Sequence, residues 1–372
     1  TQNIGAGRPG VAYQARQLGL TFNAVLGIIV SLILTFGAGA ILAGVGVADA
    51  LMQPARTYLQ IVGGFCILNA LIPICSSYLR AFGFSKEPLY ASIIGNVINF
   101  CLNAFFLFVL HKGVAGVATA TVISRIINLV IVVLLGAVLV KAKQHPERES
   151  NRAVMGQIIR IGLPSACETA IYNVSMTLVI RFLNQMDAQG LNVTARSYTM
   201  QITNFSYCVG AALAQANAIM TGWHIGAKEY DACDRGTKKA AVIGVIVAVI
   251  LETVFTLCSG WIMQLFSKDP QMVSLVGKLL AIDIVLEIGR VTNLVYGQAL
   301  KTSGDAVFPV VMGVCFMMLC SVGGTYLFGI RLGLLAVGAY IGMAGDECVR
   351  AIGMYLRWKS GKWKEKGLIK SR

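Results

Sequence analysis

Charge is scarce in this chain: only 13% of its 372 residues are Asp, Glu, Lys or Arg, about half the share of an ordinary soluble domain. A soluble fold is thereby excluded. Histidine is rarer still, and the three present, His111, His145 and His224, sit in separate loops. No H-E-x-x-H, G-x-S-x-G or Walker A pattern occurs, which excludes the commonest zinc peptidases, serine hydrolases and ATP-driven pumps. Neither an enzyme nor a cofactor is expected. Ten cysteines are scattered through apolar stretches without a Cys-x-x-Cys pair, so they read as small core hydrophobes rather than zinc ligands or a disulfide framework.

In place of charge the chain carries apolar residues, 56% of the total. They gather into long runs, the clearest being Gly19 to Leu42, with others near 57–79, 89–110, 116–140, 157–183, 193–220, 240–263, 272–299, 307–328 and 333–356. Each is about as long as a helix needs to cross a bilayer. Unpaired backbone polar groups are too costly in hydrocarbon for open structures, so an all-α polytopic membrane protein with ten spans is predicted.

The formal charge of +14 acquires meaning from its placement. Lys and Arg concentrate in alternate loops and in the tail, whereas the opposite loops hold only Arg56, Lys112, Lys268 and Arg331. The positive-inside rule then puts both termini in the cytoplasm, in a plasma (inner) membrane protein. The tail RWKSGKWKEKGLIKSR, basic with Trp358 and Trp363 interleaved, reads as an anchor to anionic lipid rather than a nucleic-acid site.

A repeat organises the chain. Ile4, Gly5 and Ala6 recur as Ile225, Gly226 and Ala227, and LRAFGFSKEP (79–88) faces LKTSGDAVFP (300–309), both at an offset of 221. A third echo sets Gly113 and Val117 against Gly333 and Val337. Gly5, Gly7 and Gly10 also spell G-x-G-x-x-G, but no strand precedes them and the first acid is Asp49, so a dinucleotide turn is excluded. Two spans precede the second copy and none precedes the first, so the repeat predicts an N-terminally truncated member of a twelve-span architecture. Two pseudo-symmetric six-helix lobes around a central cavity are expected: an N-terminal lobe over 1–140, a cytoplasmic linker over 141–156, a C-terminal lobe over 157–357 and a basic tail over 358–372.

Acids within the spans mark function by default, since a charge at the bilayer centre costs about 2.5–3.5 kcal/mol. The first half has none; the second has Glu168, Glu252, Asp283, Glu287, Asp346 and Glu347. Glu168 follows Pro164 by one turn, with Tyr172 and Ser175 on the same face. Carbonyls freed by the proline, a carboxylate and a phenol could coordinate Na+ or hold a proton. Asp283, Glu287 and Arg290 form one stripe at i, i+4 and i+7, readable as a proton-loading pair or as a static ion pair. Asp346 and Arg350 should pair with each other, and Glu252 reads as a satisfied polar contact. Arg196, Gln201, Asn204, Gln215 and Asn217 make the 193–220 span too polar to face lipid all round, so Asn204 and its neighbours should border a wet cavity.

QNIGAG, LRAFGFSKEP, KGVAGVATATVISR, RIGLPSACE and ALKTSGDAVFP, in this order, together resemble the multidrug and toxic compound extrusion (MATE) transporters. The resemblance implies a twelve-helix exporter expelling organic, often cationic, compounds by antiport with Na+ or H+. It matches Glu168 to the glutamate of the seventh family span. The N-x-x-x-D of the fifth family span reads Asn99 to Asn103, with Asn in place of Asp. The acid of the tenth falls on Arg290, leaving Asp283 or Glu287 to serve. A monomer in contact with membrane lipids, small organic substrates and a coupling cation is expected. A lipid-precursor flippase of the same superfamily, hinted at by Arg196 and Arg290, and a non-transporting receptor or scaffold are the rival readings.

Overall fold

The computed structural model describes residues 1–45, 47, 49–141, 145–187 and 189–367. Residues 142–144 of the expected linker and 368–372 of the expected tail lie outside the described residues. All regular structure described is helical. The first half holds α1 (Gln2–Gly5), α2 (Pro9–Phe36), α3 (Ala38–Val45), α4 (Asp49–Gly64), α5 (Ile67–Ala81), α6 (Lys86–Ala104) and α7 (Gly113–Leu139). The second holds α8 (Asn151–Met186), α9 (Leu191–Gly226), α10 (Tyr230–Leu257), α11 (Ser259–Met263), α12 (Pro270–Ser303), α13 (Val307–Phe316) and α14 (Leu335–Lys359). π-helical turns extend α6 through Phe105–Val109 and α13 through Met317–Val322 and Thr325–Arg331. The helices fall into two units, one over Gly7–Ile158 and one over Ile159–Arg372 that also includes Gln2 and Ile4–Ala6.

Every expected apolar run falls on helix. Five helices, Pro9–Phe36, Lys86–Val109, Gly113–Leu139, Tyr230–Leu257 and Val307–Arg331, are long and apolar enough to cross a membrane, and α4 with α5 makes a sixth, bent by 41°. On α10, Val242, Ile243, Ile246, Ile250, Val254 and Leu257 stay exposed, an apolar stripe suited to lipid. The other long helices, α8, α9, α12 and α14, span 36, 36, 34 and 25 residues but are more polar, because they carry the site described below.

The repeat is legible in the backbone. Helices α2 and α10 are both 28 residues long and start 221 residues apart. Ahead of them, Ala6 N–H donates to the Gln2 carbonyl at 3.0 Å and Ala227 N–H to that of Trp223 at 2.9 Å. Gly7 and Lys228, again 221 apart, are both left-handed, with φ of 71° and 62°. A Cβ on Gly5 would meet the Trp223 carbonyl oxygen at 2.1 Å, and one on Gly226 the Gln2 carbonyl oxygen at 2.0 Å. The glycine pattern therefore serves chain packing, and Gly7 supplies a turn that L side chains enter at a cost.

The third echo needs correction. His111 and Gly113 have φ of 50° and 53°, and the matching pair is Gly333 and Leu335, at 69° and 53°. Lys112 N–H donates to the Phe106 carbonyl and Leu334 N–H to that of Phe328, so the register here is 222, and Gly113 corresponds to Leu335 rather than Gly333. The π-turns after α13 absorb the added residue.

Helix α12 is the post of the second unit, packed against α9, α10 and α14. Its ends are specified locally: Asp269 accepts from the Gln271 N–H at 3.0 Å, Pro270 opens the first turn, and Gly304 ends it at φ 97°, as capping rules require. Val276, Leu279, Leu280 and Leu286 pack with Tyr340 and Met343 at one end, and Val291, Val295, Tyr296 and Leu300 with Trp358 and Trp363 at the other. The tryptophans are not lipid anchors. Both are 1% exposed and stack 4.1 Å apart, with Trp358 Nε1 donating to Asp234 at 2.9 Å and Trp363 Nε1 to the Trp358 carbonyl at 2.9 Å. The tail's Lys359, Lys362, Lys364 and Lys366 remain exposed.

Candidate functional site

A cavity of about 520 Å³ opens within the second unit, bordered by α8, α9, α12 and α14, with Glu168, Tyr172, Tyr207, Arg290, Lys301, Glu347 and Arg350 in its wall. Drug-sized ligands occupy pockets of this size. Its geometry depends on a close helix contact: a Cβ on Gly289 would lie 2.7 Å from the Cys348 nitrogen and 2.8 Å from the Glu347 carbonyl carbon, so only glycine lets α12 and α14 approach and bring their charges together.

Three bases and four acids meet in and beside this wall. Lys301 Nζ sits 2.6 Å from Glu168 Oε2, an ammonium already occupying the place a coupling cation would take at Glu168. Arg290 pairs with Glu287, comes within 3.9 Å of Glu347 and lies over the Tyr207 ring at 5.9 Å. Arg350 holds Glu347 at 2.8 Å and Asp346 at 2.9 Å, while Asn293 donates to Glu347 at 3.0 Å and Ser321 to Asp346 at 2.9 Å. The result is a run of alternating charge, Glu287–Arg290–Glu347–Arg350–Asp346, along two helices. Low local dielectric makes such pairs strong and their rupture expensive.

Of the residues singled out in the sequence, Glu168, Tyr172 and Arg290 line the cavity. Asp283 and Glu287 lie on the same helix but behind that wall, at 2% and 0% exposure, where one oxygen from each comes within 4.8 Å of one from Glu252. Glu252 is not the satisfied contact expected of it: both its oxygens are buried without a hydrogen-bond partner. Asn204 is exposed and does not line this cavity. Ser175, on the predicted face with Glu168, is buried against Met318 Sδ at 3.8 Å. Arg196 is buried, with a guanidinium nitrogen 3.6 Å from Met176 Sδ and its Nε unpartnered. Pairing of Asp346 with Arg350 is as expected.

Comparison with known proteins decides the family. The MatE family model matches residues 1–105 and 164–327. The uncharacterized transporter YisQ of Bacillus subtilis (strain 168) is 32% identical over 99% of this chain and 82% of its own length. This chain belongs to the MatE family. The probable multidrug resistance protein YoeA of the same organism is 22% identical over 94% of this chain and 77% of its own length. The crystal structure of the eukaryotic MATE transporter AtDTX14 superimposes with a TM-score of 0.85 at 18% identity, covering 98% of this chain and 82% of that one. The MatE chain is an integral multi-pass membrane protein of a transporter family, and not an enzyme.

Lys301 shows in this MatE sequence only within the repeat that sets 300–309 against 79–88, and Glu347 only as one of six acids within the spans. Helical spacing relates residues on one helix; it gives no sign that α8 and α12 bring Glu168 to Lys301.

Proposed function

We propose that this MatE protein is a secondary exporter of organic compounds, organic cations included, driven by antiport with Na+ or H+ through alternating access of two lobes. In this reading the transporter lies in the plasma (inner) membrane, with both termini cytoplasmic. The single supporting observation is the Glu168–Lys301 pair in the cavity wall. A carboxylate held by a mobile ammonium can trade that partner for the cationic group of a substrate or for a coupling ion. Tyr172 and Tyr207 offer ring faces for the same cationic group. Glu168 is then the exchange carboxylate, with Asp283 and Glu287 assisting from the buried side of α12.

The experiment is ethidium efflux from proteoliposomes under an imposed ion gradient. E168Q should lose gradient-driven export while remaining folded, and full-rate export by E168Q would overturn the role. A second reading, a flippase for an anionic lipid-linked precursor, is favoured by Arg290, Lys301 and Arg350 in the cavity. It predicts that inorganic pyrophosphate competes for the cavity and ethidium does not.

A further inference from the structure

Two helices of the second unit carry exposed apolar stripes that end in bases. On α10 the stripe of Val242, Ile243, Ile246 and Ile250 is continued, one and two turns toward the N-terminus, by the exposed Lys239 and Arg235, with Lys238 beside them. On α14 the exposed Ile352, Tyr355 and Leu356 are followed one turn later by the exposed Lys359. A stripe of this kind lies in hydrocarbon, and one further turn is about 5.4 Å, so the bases stand at headgroup depth. The two ends are tied together. Trp358 Nε1 donates to Asp234 Oδ1 at 2.9 Å, and Lys238 Nζ donates to Asp234 Oδ2 at 2.6 Å. Tyr355, edge-on to Tyr296 at 5.6 Å, lies within electrostatic reach of Lys238.

The tail adds further bases on a rigid mount. Beyond Lys359 the chain reverses at Gly361, and a 3-10 turn over Lys362–Glu365 lays Trp363 flat on Trp358, with the Tyr230 ring of α10 edge-on at 5.9 Å. Both indoles are buried, while Lys362 and Lys364 stay exposed. Lys364 lies over the Trp363 ring at 5.9 Å and near Cys233, in the first turn of α10. A free polybasic tail loses chain entropy when it docks; here the stack has already ordered the lysines. Counter-charge is short on this face. Asp305 answers Arg357 at 2.7 Å and Asp234 answers Lys238, but among the described residues Arg235, Lys239, Lys359, Lys362 and Lys364 form no ion pair. The exposed acids of these segments, Asp231 and Glu365, are fewer than the bases.

We propose that the first turns of α10, the last turn of α14 and the tryptophan-stacked tail form a docking surface for the headgroup of an anionic phospholipid, with Arg235, Lys238, Lys239, Lys359, Lys362 and Lys364 as its cationic groups. The occupant is a lipid because the bases and the apolar stripes are continuous. Acyl chains lie along Ile243, Ile246 and Ile352 while the phosphate meets the ammonium groups. A soluble anion or a nucleic acid has no use for the stripes. A zwitterionic headgroup brings an ammonium of its own, which the bases repel, so the surface selects net negative charge. Trp358 and Trp363 position the lysines and stay out of the bilayer. The surface goes beyond the exporter reading and does not depend on it, since no transported compound, coupling ion or cavity residue takes part.

The test is native mass spectrometry of the purified full chain, released from detergent micelles titrated with dioleoyl phosphatidylglycerol or with dioleoyl phosphatidylcholine. The wild type should hold phosphatidylglycerol about ten-fold more tightly than phosphatidylcholine. K239Q/K359Q, which removes the base at the end of each stripe, should cut that preference to under about three-fold. K268Q/R331Q, which removes as much exposed charge elsewhere, should keep it within about two-fold of the wild type. W363A retains every base but releases the tail, and should weaken phosphatidylglycerol by about three-fold or more. Should W363A fail to fold, the two charge variants, both at exposed positions, still decide. Equal affinity of the wild type for the two lipids overturns the proposal, as does an unchanged preference in K239Q/K359Q or an equal loss in K268Q/R331Q. Displacement of phosphatidylglycerol by an equal concentration of glycerol phosphate, or of oligouridylate, would also overturn it, in favour of a soluble anion or of a nucleic acid.

Discussion

Ser124 of the first unit and Asp346 of the second stand 222 residues apart, at matching places in the repeat, and each is met by a donor from the preceding helix. Asn99 donates to Ser124 at 3.3 Å; its counterpart Ser321 donates to Asp346 at 2.9 Å. Asn128 matches Arg350 in the same register. Ser31 matches Glu252, and Cys66 matches Glu287, at 221. In the first unit the Ile67 N–H donates to the Ser31 hydroxyl at 3.3 Å, just where α4 and α5 break with a 41° bend. In the second, α12 runs through unbroken and holds carboxylates there. One backbone plan thus carries amides and hydroxyls in one half and charges in the other. Neutral groups can satisfy one another with single hydrogen bonds, as Asn103 does by donating to Asn99 at 3.0 Å. Charges require counter-charges, as Glu347 takes them from Arg290 and Arg350.

That contrast can be broken most forcefully at Arg350. R350L strands Asp346 and Glu347 and should cost about 3–5 kcal/mol, whereas N128L, at the matching place, should cost under about 1 kcal/mol, since the Asn128 amide oxygen is already unpartnered and an apolar group relieves it. Denaturant unfolding in micelles measures both; equal losses would end the comparison. Moving an acid the other way should also be asymmetric. S31E places a lone carboxylate in the first unit and should lose about 2.5–3.5 kcal/mol, while E252S removes a buried carboxylate without a hydrogen-bond partner and should leave stability unchanged or raised.

Capping differs from helix to helix. Helices α2, α6 and α7 begin without a side-chain cap, but at α9 the N–H groups of Leu191 and Asn192 donate to Asp187 at 2.8 and 3.0 Å. Burial pushes the Asp187 carboxyl up, yet the hydrogen bonds from Asn192, Leu191 and Gly190 hold it below its ordinary 3.8. Its stabilisation is complete above that ordinary value and is lost as pH falls through the lowered one. D187N should therefore flatten the acid limb of a stability–pH curve by about 1 kcal/mol; an unaltered limb would show that the cap contributes nothing. The smallest effect concerns the repeat turn. K228G should stabilise by about 0.5–1 kcal/mol and G7K should destabilise by a similar amount, since both positions are left-handed and only glycine sits there freely. A gain in neither direction would deny the shared turn.

The apolar runs from Gly19 onward announced each of the five helices long and apolar enough to cross a membrane, because hydropathy depends on local composition. The repeat was equally visible, since Gly83 and Gly304 keep a positive φ at equivalent turns, 90° and 97°. The stripe of Asp283, Glu287 and Arg290 was legible as helical spacing, and so was Asp346 with Arg350. Contacts between helices were not. Nothing in VILETVF says that Glu252 faces Asp283, because periodicity gives the face of a helix and not the helix opposite. The basic, aromatic tail misled for the same reason: whether Trp358 meets lipid or stacks on Trp363 depends on a reversal at Gly361, where φ is 71°, and on the Asp234 acceptor from α10.

Ion-gradient-driven ethidium efflux, compared between a first-unit and a second-unit variant in proteoliposomes, tests the division of labour most directly. N99A/N103A, which strips the amides of the first unit, should export at the wild-type rate with the wild-type dependence on the imposed ion gradient. D283N should lose that dependence. Gradient-driven export abolished in N99A/N103A and preserved in D283N would contradict the account.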